Sequence, residues 1–493
     1  MKRYSILYIF LSVFAVAHSQ QPAGREDART YGQKQKEAIA QYRQARQREL
    51  AHYRDSINAE YARYLAETWK SFDMLRQERS FRPMPKQPVY QPDTPQPEPE
   101  RLPVSGEREL PAPIPAEDVP SVPPSLPDVP EPALKTVFLG TQITLNRVLP
   151  SVKLPSGLSE KSVAACWLAL SKADHKAWTG EILRIKAELK LNDWGMYLLI
   201  NKLFEVCFPE SYRNGQVIFS VFMLNQMGYR AKIGKSENEL IPLVAFRQEV
   251  VNCSYLAYGG DTSVKYSALH PQRKALSSVR ICPVEYVGAT NSLNLEVAAS
   301  PRLVMDAKTR TLTAGDKSFV LKYNRNIVDF YADYPCVNFT VHATAAPDEA
   351  LLESIEAQIA PHIAGESQEE AVNRLLHLVQ DAFDYMTDNE QFGYEKWFFA
   401  EETVALPYSD CEDRAILFAQ LVRRLLNMPV VLVHYPGQHL ATAVKFDNPH
   451  TVGDYVSVDG AKYLICDPTC GNANLGMSMP SMRNVAVEVF KLK

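Results

Sequence analysis

The chain has 493 residues, a formal charge of −4, and 46% hydrophobic and 22% charged residues. That length allows roughly three domains of about 150 residues each, and the apolar content suffices for ordinary cores. The small net charge and the lack of a basic patch argue against a nucleic-acid partner.

Lys2 and Arg3 precede an apolar core from Ile6 to Val16, and Ala17-His18-Ser19 follows with small residues suited to cleavage before Gln20. Residues 1–19 are therefore predicted to be a signal peptide, and the mature chain to be periplasmic or secreted. No cysteine follows the apolar core, so a bacterial lipid anchor is not expected. No other run approaches the roughly 20 apolar residues of a transmembrane helix.

Residues 20–82 are predicted to form one long amphipathic helix. Leu50, Tyr53, Ile57, Tyr61, Leu65, Trp69 and Phe72 recur every three or four residues among charged side chains. Such a stripe packs on its own protein, pairs with a second copy as a coiled coil, or docks on an envelope partner. Residues 83–134 read as a proline-rich linker: 17 of the 34 prolines, counted along the sequence, fall between 83 and 132. An extended, semi-rigid spacer is expected there.

Residues 135–275 read as a mixed α/β domain. Helical patterns cover Ser162–Lys172, Glu181–Leu191, Asp193–Phe208 and Asn214–Met227, and Tyr229–Gly234 and Leu240–Phe246 look like strands. This order echoes the C-terminal part at an offset of about 200 residues: Val217 meets Leu417, Val244 meets Val444, Ser211 meets Cys411 and Glu239 meets His439. A degenerate internal copy and an unrelated α/β layer both fit. Residues 276–345 carry short β-rich runs, including Ser292–Ala298, Leu303–Asp306, Thr311–Ala314, Ser318–Tyr323 and Val337–His342, as in a small sandwich or a β-extension.

Residues 346–493 are predicted to form the catalytic domain. Asp348–Ile359 and Glu369–Phe383 are amphipathic helices. The run Asp410-Cys411-Glu412-Asp413-Arg414-Ala415 opens a third, with Asp410 as N-cap, Asp413 in the capping-box position and Leu417, Leu421 and Leu425 on one face. Unpaired N–H groups and the dipole at a helix start favour an anion, here a Cys411 thiolate. His439 follows 28 residues later at the start of a strand-like run, and Asp467 after another 28 at the end of a second.

In Asp410-Cys411-Glu412-Asp413-Arg414-Ala415, in Gln438-His439-Leu440-Ala441-Thr442-Ala443-Val444 and in Cys466-Asp467-Pro468-Thr469, the sequence resembles the transglutaminase-like superfamily, a papain-type fold. The resemblance covers about a quarter of the chain, roughly residues 350–480. It implies an α+β protein with a catalytic triad: Cys411 as nucleophile, His439 as base, and Asp467 holding the imidazole tautomer. It also implies an oxyanion hole built from the Cys411 amide and an upstream side chain, for which Trp397 or Tyr408 could serve. No cofactor is expected, and the partner is a peptide or protein substrate.

His434, inside an apolar strand, and His450, in a polar loop, are the rival imidazoles. Cys411, His439, Cys466 and Cys470 could in principle bind zinc, but Cys411 has no closely spaced second ligand. The eight cysteines (Cys166, Cys207, Cys253, Cys282, Cys336, Cys411, Cys466 and Cys470) are too sparse for a disulfide framework. Cys466 and Cys470 are close enough in sequence to bridge, or lie buried as apolar groups. The other class of function is a non-catalytic envelope binding or scaffold protein on the same fold.

Overall fold

The computed structural model describes residues 41–492 except 43–44, 46–48, 50–51, 77–83, 92–97, 110–133, 146–152, 155–156, 209–212, 259–263 and 271–272. The predicted leader, most of the first half of the predicted helix and the middle of the proline-rich stretch lie outside these residues. The chain divides into two compact units, residues 1–60 and 61–493. In the first, residues 52–60 are helical. The second unit, residues 61–493, carries the elements that follow. Helices and sheets are mixed throughout it, an α+β architecture as expected.

Residues 61–67 are helical, but the predicted helix does not continue to 82. Lys70–Asp73 (β1) and Leu75–Arg76 (β2) are strands at opposite ends of a seven-stranded sheet, where β1 pairs with Ser278–Ile281 (β10) and β2 with Ser254–Ala257 (β8). Met74 alone separates β1 from β2, so this segment closes the sheet on itself. The apolar period of the sequence was real: Tyr61, Leu65 and Trp69 are buried, with Tyr61 against Trp167 and Tyr286 at 4.9 and 5.3 Å. Free backbone edges on β8 and β10 give Lys70–Arg76 more hydrogen bonds as strand than helix propensity can offset.

The proline-rich stretch is also more than a spacer. Val104–Glu109 (β3) adds in parallel to the edge of the C-terminal sheet, and Tyr90 and Leu102 are buried against it. Backbone bonds between Tyr90 and Gly471 and between Leu102 and Tyr455 hold the strap down. The prolines fit here because an edge segment needs only alternate N–H donors.

A hairpin of Leu134–Phe138 (β4) and Thr141–Leu145 (β5) precedes four helices, Glu160–Lys172 (α1), His175–Glu188 (α2), Asp193–Cys207 (α3) and Arg213–Gln226 (α4). Ala231–Ser236 (β6), Glu239–Ala245 (β7), β8, Lys265–Ala268 (β9) and β10 follow, all antiparallel, in the order β10-β6-β7-β9-β8.

The region 276–345 is not a sandwich. It supplies β10, one hairpin of Ala307–Ala314 (β11) and Lys317–Asn324 (β12), and two short helices, Arg325–Tyr331 (α5) and Phe339–Thr344 (α6). The strand expected at Val337–His342 is mostly α6, because the Asn338 side chain caps the Thr340 amide and turns the chain. Ser292–Ala298 and Leu303–Asp306 are irregular. Leu312, Phe319 and Leu321 of the hairpin belong to the C-terminal core.

The C-terminal domain continues with Glu349–Gln358 (α7), Gln368–Asp381 (α8), Asp388–Gln391 (α9), Ala400–Ala405 (α10) and Cys411–Leu421 (α11). A capping box of Ser367 and Glu370 starts α8. Val430–Tyr435 (β15), His439–Val444 (β16), Tyr455–Val458 (β17), Ala461–Cys466 (β18) and Val487–Lys491 (β19) form a sheet in the order β17-β18-β16-β15-β19-β3; the two-residue strands Asp384–Tyr385 (β13) and Tyr408–Ser409 (β14) pair separately.

The period of two is read directly in its packing. Val430, Leu432, Leu440, Val444, Leu464 and Cys466 meet α11 on one face. Val431, Val433, Ala441, Ala443, Ile465 and Val489 meet the strap and the methionine-rich loop Met477–Met482 on the other. Counted from its leading helix, each sheet has the same order: fifth, first, second, fourth, third strand.

All eight cysteines are thiols, seven of them buried and Cys253 half-buried. Cys466 and Cys470 pack into different cores on opposite faces of the sheet, which separates them. Among the described residues no helix is long and apolar enough to cross a membrane.

Candidate functional site

Cys411, His439 and Asp467 sit where the sequence put them: at the first residue of α11, the first of β16 and the residue after β18. All three are buried, at 1%, 0% and 2% exposure. His439 Nε2 and Asp467 Oδ2 are 2.9 Å apart. Asp467 Oδ1 accepts from the Thr469 and Cys470 amides at 3.0 and 3.2 Å. Burial pushes the Asp467 carboxyl up, but the His439 ring and these amides outweigh it and hold the group below the usual carboxylate range. The Asp467 loop is pinned by Gln380, whose Nε2 donates to the Asp467 and Ala473 carbonyls at 2.9 and 3.0 Å.

The third contact is not made. His439 Nδ1 is buried without a hydrogen-bond partner, and the Cys411 thiol donates instead to Glu412 Oε2 at 3.0 Å. Strand alternation supplies the reason. His439 shares a face with Ala441 and Ala443, and its ring is 5.7 Å from that of Tyr435, whereas α11 packs on the face of Leu440 and Val444. The Cys411 sulfur meets the Leu440 N–H, one residue beyond His439.

Sequence reasoning missed the surroundings of the thiol. Asp388, Glu395, Asp410, Glu412 and Asp413 are all buried within this region. Asp413 accepts from the Phe398 and Asp410 amides at 2.8 and 3.3 Å, the latter being the return half of the expected capping box. Asp388 accepts from the Lys396 amide at 2.6 Å, and Glu395 from Trp397 Nε1 at 3.0 Å. Asp388 Oδ1 lacks a hydrogen-bond partner, whereas the Asp410 carboxyl is met by the Asp388 and Glu412 amides and by the Glu412 carboxyl.

The one fully buried guanidinium beside them, Arg414, donates to Ser409 Oγ and to the Gln380 and Phe383 carbonyls rather than to a carboxylate. Burial, reinforced by neighbouring acids, therefore pushes these carboxyls up: Glu395 to about 8, and Asp388, Glu412 and Asp413 well above the usual range. Burial also pushes the Cys411 thiol far up, with Glu412 and Asp410 adding to it. In this conformation the dipole of α11 does not prevail, and the sulfur is a neutral thiol.

The remaining candidates separate cleanly. His434 Nδ1 pairs with Glu488 Oε2 at 3.1 Å, and His450 lies in an exposed loop. The Trp397 indole N–H is committed to Glu395 and is not aimed at an oxyanion. Tyr408 is half-buried in β14. Among the described residues no group of three or more His, Cys, Asp or Glu side chains is arranged to hold a metal. Three acids in four residues around Cys411, namely Asp410, Glu412 and Asp413, were the available signal for the acidic wall, but sequence alone did not say that it is buried. No family model, no curated protein and no solved structure matches the chain.

Proposed function

We propose that the C-terminal domain is an exported, transglutaminase-like thiol enzyme that transfers the acyl group of a peptide amide, chiefly to water, and that the conformation described here is its resting form. The observation that carries the reading is the fully buried His439–Asp467 pair, which leaves Nδ1 unpartnered one residue from the amide that meets the Cys411 sulfur. A buried imidazole nitrogen with nothing to bond is costly, and a proton-accepting role accounts for it.

In the active form the thiol leaves Glu412 and gives its proton to Nδ1 as sulfur attacks the amide carbon. Collapse of the tetrahedral adduct breaks the C–N bond, and the imidazolium returns the proton to the leaving amine. Water then adds to the thioester, with His439 taking its proton, and Cys411 is released as the thiol. Asp467 stabilises the imidazolium throughout. The leader-like Lys2, Arg3 and Ile6–Val16 support export and hence an envelope peptide, such as a cell-wall stem peptide, as substrate.

A second reading is a non-catalytic binding or scaffold protein. The near-complete burial of all three side chains and the raised thiol favour it. Iodoacetamide labelling at neutral pH separates the two. The enzyme reading expects Cys411 to label faster than the other seven cysteines in the presence of a peptide library, and to lose that advantage in His439→Ala. Labelling of Cys411 no faster than the buried core cysteines, or unchanged by His439→Ala, would falsify it.

A further inference from the structure

Cys411, His439 and Asp467 are at most 2% exposed, so a neighbouring segment must move before a peptide reaches the sulfur. α11, β16 and β18 cannot be that segment, because they build the core of the domain. Met84–Tyr90, the first part of the proline-rich strap, is held more loosely. It forms no strand of the sheet, and its ladder contact is the isolated bridge between Val89 and Gly471. Pro85, Lys86 and Val89 are exposed.

This segment runs from the thiol side of the site to the carboxylate side. At one end the Tyr385 O–H donates to the Met84 carbonyl at 2.7 Å. Tyr385 pairs with Ser409, two residues before Cys411, and of the charges acting on its hydroxyl that of Cys411 is the strongest. Three residues further on, Gln87 Nε2 donates to the Thr469 carbonyl at 3.1 Å and to the Gln380 carbonyl at 3.2 Å. The Thr469 amide holds Asp467, and the Gln380 side chain pins the Asp467 loop. Three residues of extended chain span about 10 Å, so the strap joins the two sides of the site by a short path. Beyond Gln87, the Gly471 N–H donates to the Pro88 carbonyl at 2.9 Å and the Tyr90 N–H to the Gly471 carbonyl at 2.8 Å. The Tyr90 ring, 7% exposed, anchors the segment in the core that also holds Tyr435, the ring beside His439.

We propose that Met84–Tyr90 is an inhibitory lid seated in the groove that an extended peptide substrate enters, and that the peptide displaces it and takes over its backbone bonds to Gly471. The purpose of the lid rests on the thiol-enzyme reading, whereas its existence rests on the strap's own contacts. A segment with few anchors and exposed residues between them opens at lower free energy than the sheet beneath it. Gly471 bonds only to backbone atoms of the strap, as in the addition of a strand, so a peptide of another sequence can take the same seat. Pro85 and Pro88 fit because neither position has to donate an N–H. A tethered occupant competes with free peptide at an effective concentration of roughly millimolar, which keeps the resting form closed.

The test is iodoacetamide labelling of the full chain at neutral pH, read at each cysteine by peptide mapping. In Tyr90→Ala, which removes the buried anchor, Cys411 is expected to label at least tenfold faster than in the wild type. Cys466, in the core on the opposite face of the sheet, is expected to stay unchanged. Gln87→Ala, which removes two hydrogen bonds, is the second variant should Tyr90→Ala fail to fold, and a severalfold rise is expected there. A synthetic peptide of residues 84–91, supplied at roughly millimolar concentration, should slow Cys411 again. No acceleration at Cys411 in a folded variant, equal acceleration at Cys466, or a peptide without effect overturns the proposal. Adding His439→Ala separates the lid from the enzyme reading. Acceleration that persists unchanged keeps the lid and rejects activation of the thiol, whereas acceleration reduced by that change supports both.

Discussion

Replacing Glu395 by glutamine isolates the acidic wall around Cys411. Glu395 is buried, and its one hydrogen bond accepts from Trp397 Nε1, which a glutamine carbonyl can still do. Burial, with the charge of Asp410 second, raises its carboxyl from 4.5 to about 8. The folded state therefore holds the proton more tightly than the unfolded chain. Its contribution to stability is complete below about pH 4.5 and is lost as pH rises toward 8. At about 1.4 kcal/mol per pH unit, the loss between about pH 5.5 and 7.5 comes to about 2.5 kcal/mol.

The glutamine variant lacks this loss. It should exceed the wild type by about 1.5 kcal/mol at the lower pH and by about 4 kcal/mol at the higher one. Urea unfolding followed by tryptophan fluorescence at the two pH values measures the gap. A gap that stays constant with pH would mean that Glu395 is ionised in the fold, and the picture of a protonated acidic wall would be wrong.

Asp467→Asn should cost about 2–4 kcal/mol at neutral pH, because it sets an amide donor against His439 and weakens the acceptor of two backbone N–H groups. Since the Asp467 carboxyl is held below its unfolded value, its contribution is present above about pH 4 and fades as pH falls further. Thermal melts at neutral and acidic pH check both points, and a deficit that grows on acidification contradicts the assignment. Leu102→Ala should cost about 2–5 kcal/mol, since Leu102 is fully buried under the C-terminal sheet. An unchanged melting temperature would show that the proline-rich strap is not docked.

The amino-acid pattern by itself determined many of the helices and strands, though not Val337–His342, Ser292–Ala298 or Lys70–Arg76. The helices expected from Asp193, Asp348 and Glu369 begin within a residue of those positions, where Asn192, Asp348 and Ser367 cap them, and the first residue of β16 falls where the strand-like run began. His439 and Asp467 stand at the ends of two readable strands, and the family resemblance, not the pattern, expected them to meet. Two features of the fold depended on distant partners. Lys70–Arg76 carries a helical apolar period but becomes the strands that close a sheet, on the edges of β8 and β10, whose partner residues lie 178 or more residues away. Prolines signal an extended chain but not the sheet edge on which it lies.

The same limit applies at the candidate site. Motif order cannot say on which face of a sheet a helix packs, and that choice leaves the Cys411 sulfur on Glu412 and the His439 Nδ1 without a partner. Nor can it say that the acids flanking Cys411 are buried, which reverses the electrostatics expected of a helix start. Local hydrogen bonding and side-chain period are properties of neighbours in sequence, whereas burial and strand pairing are properties of the whole folded chain.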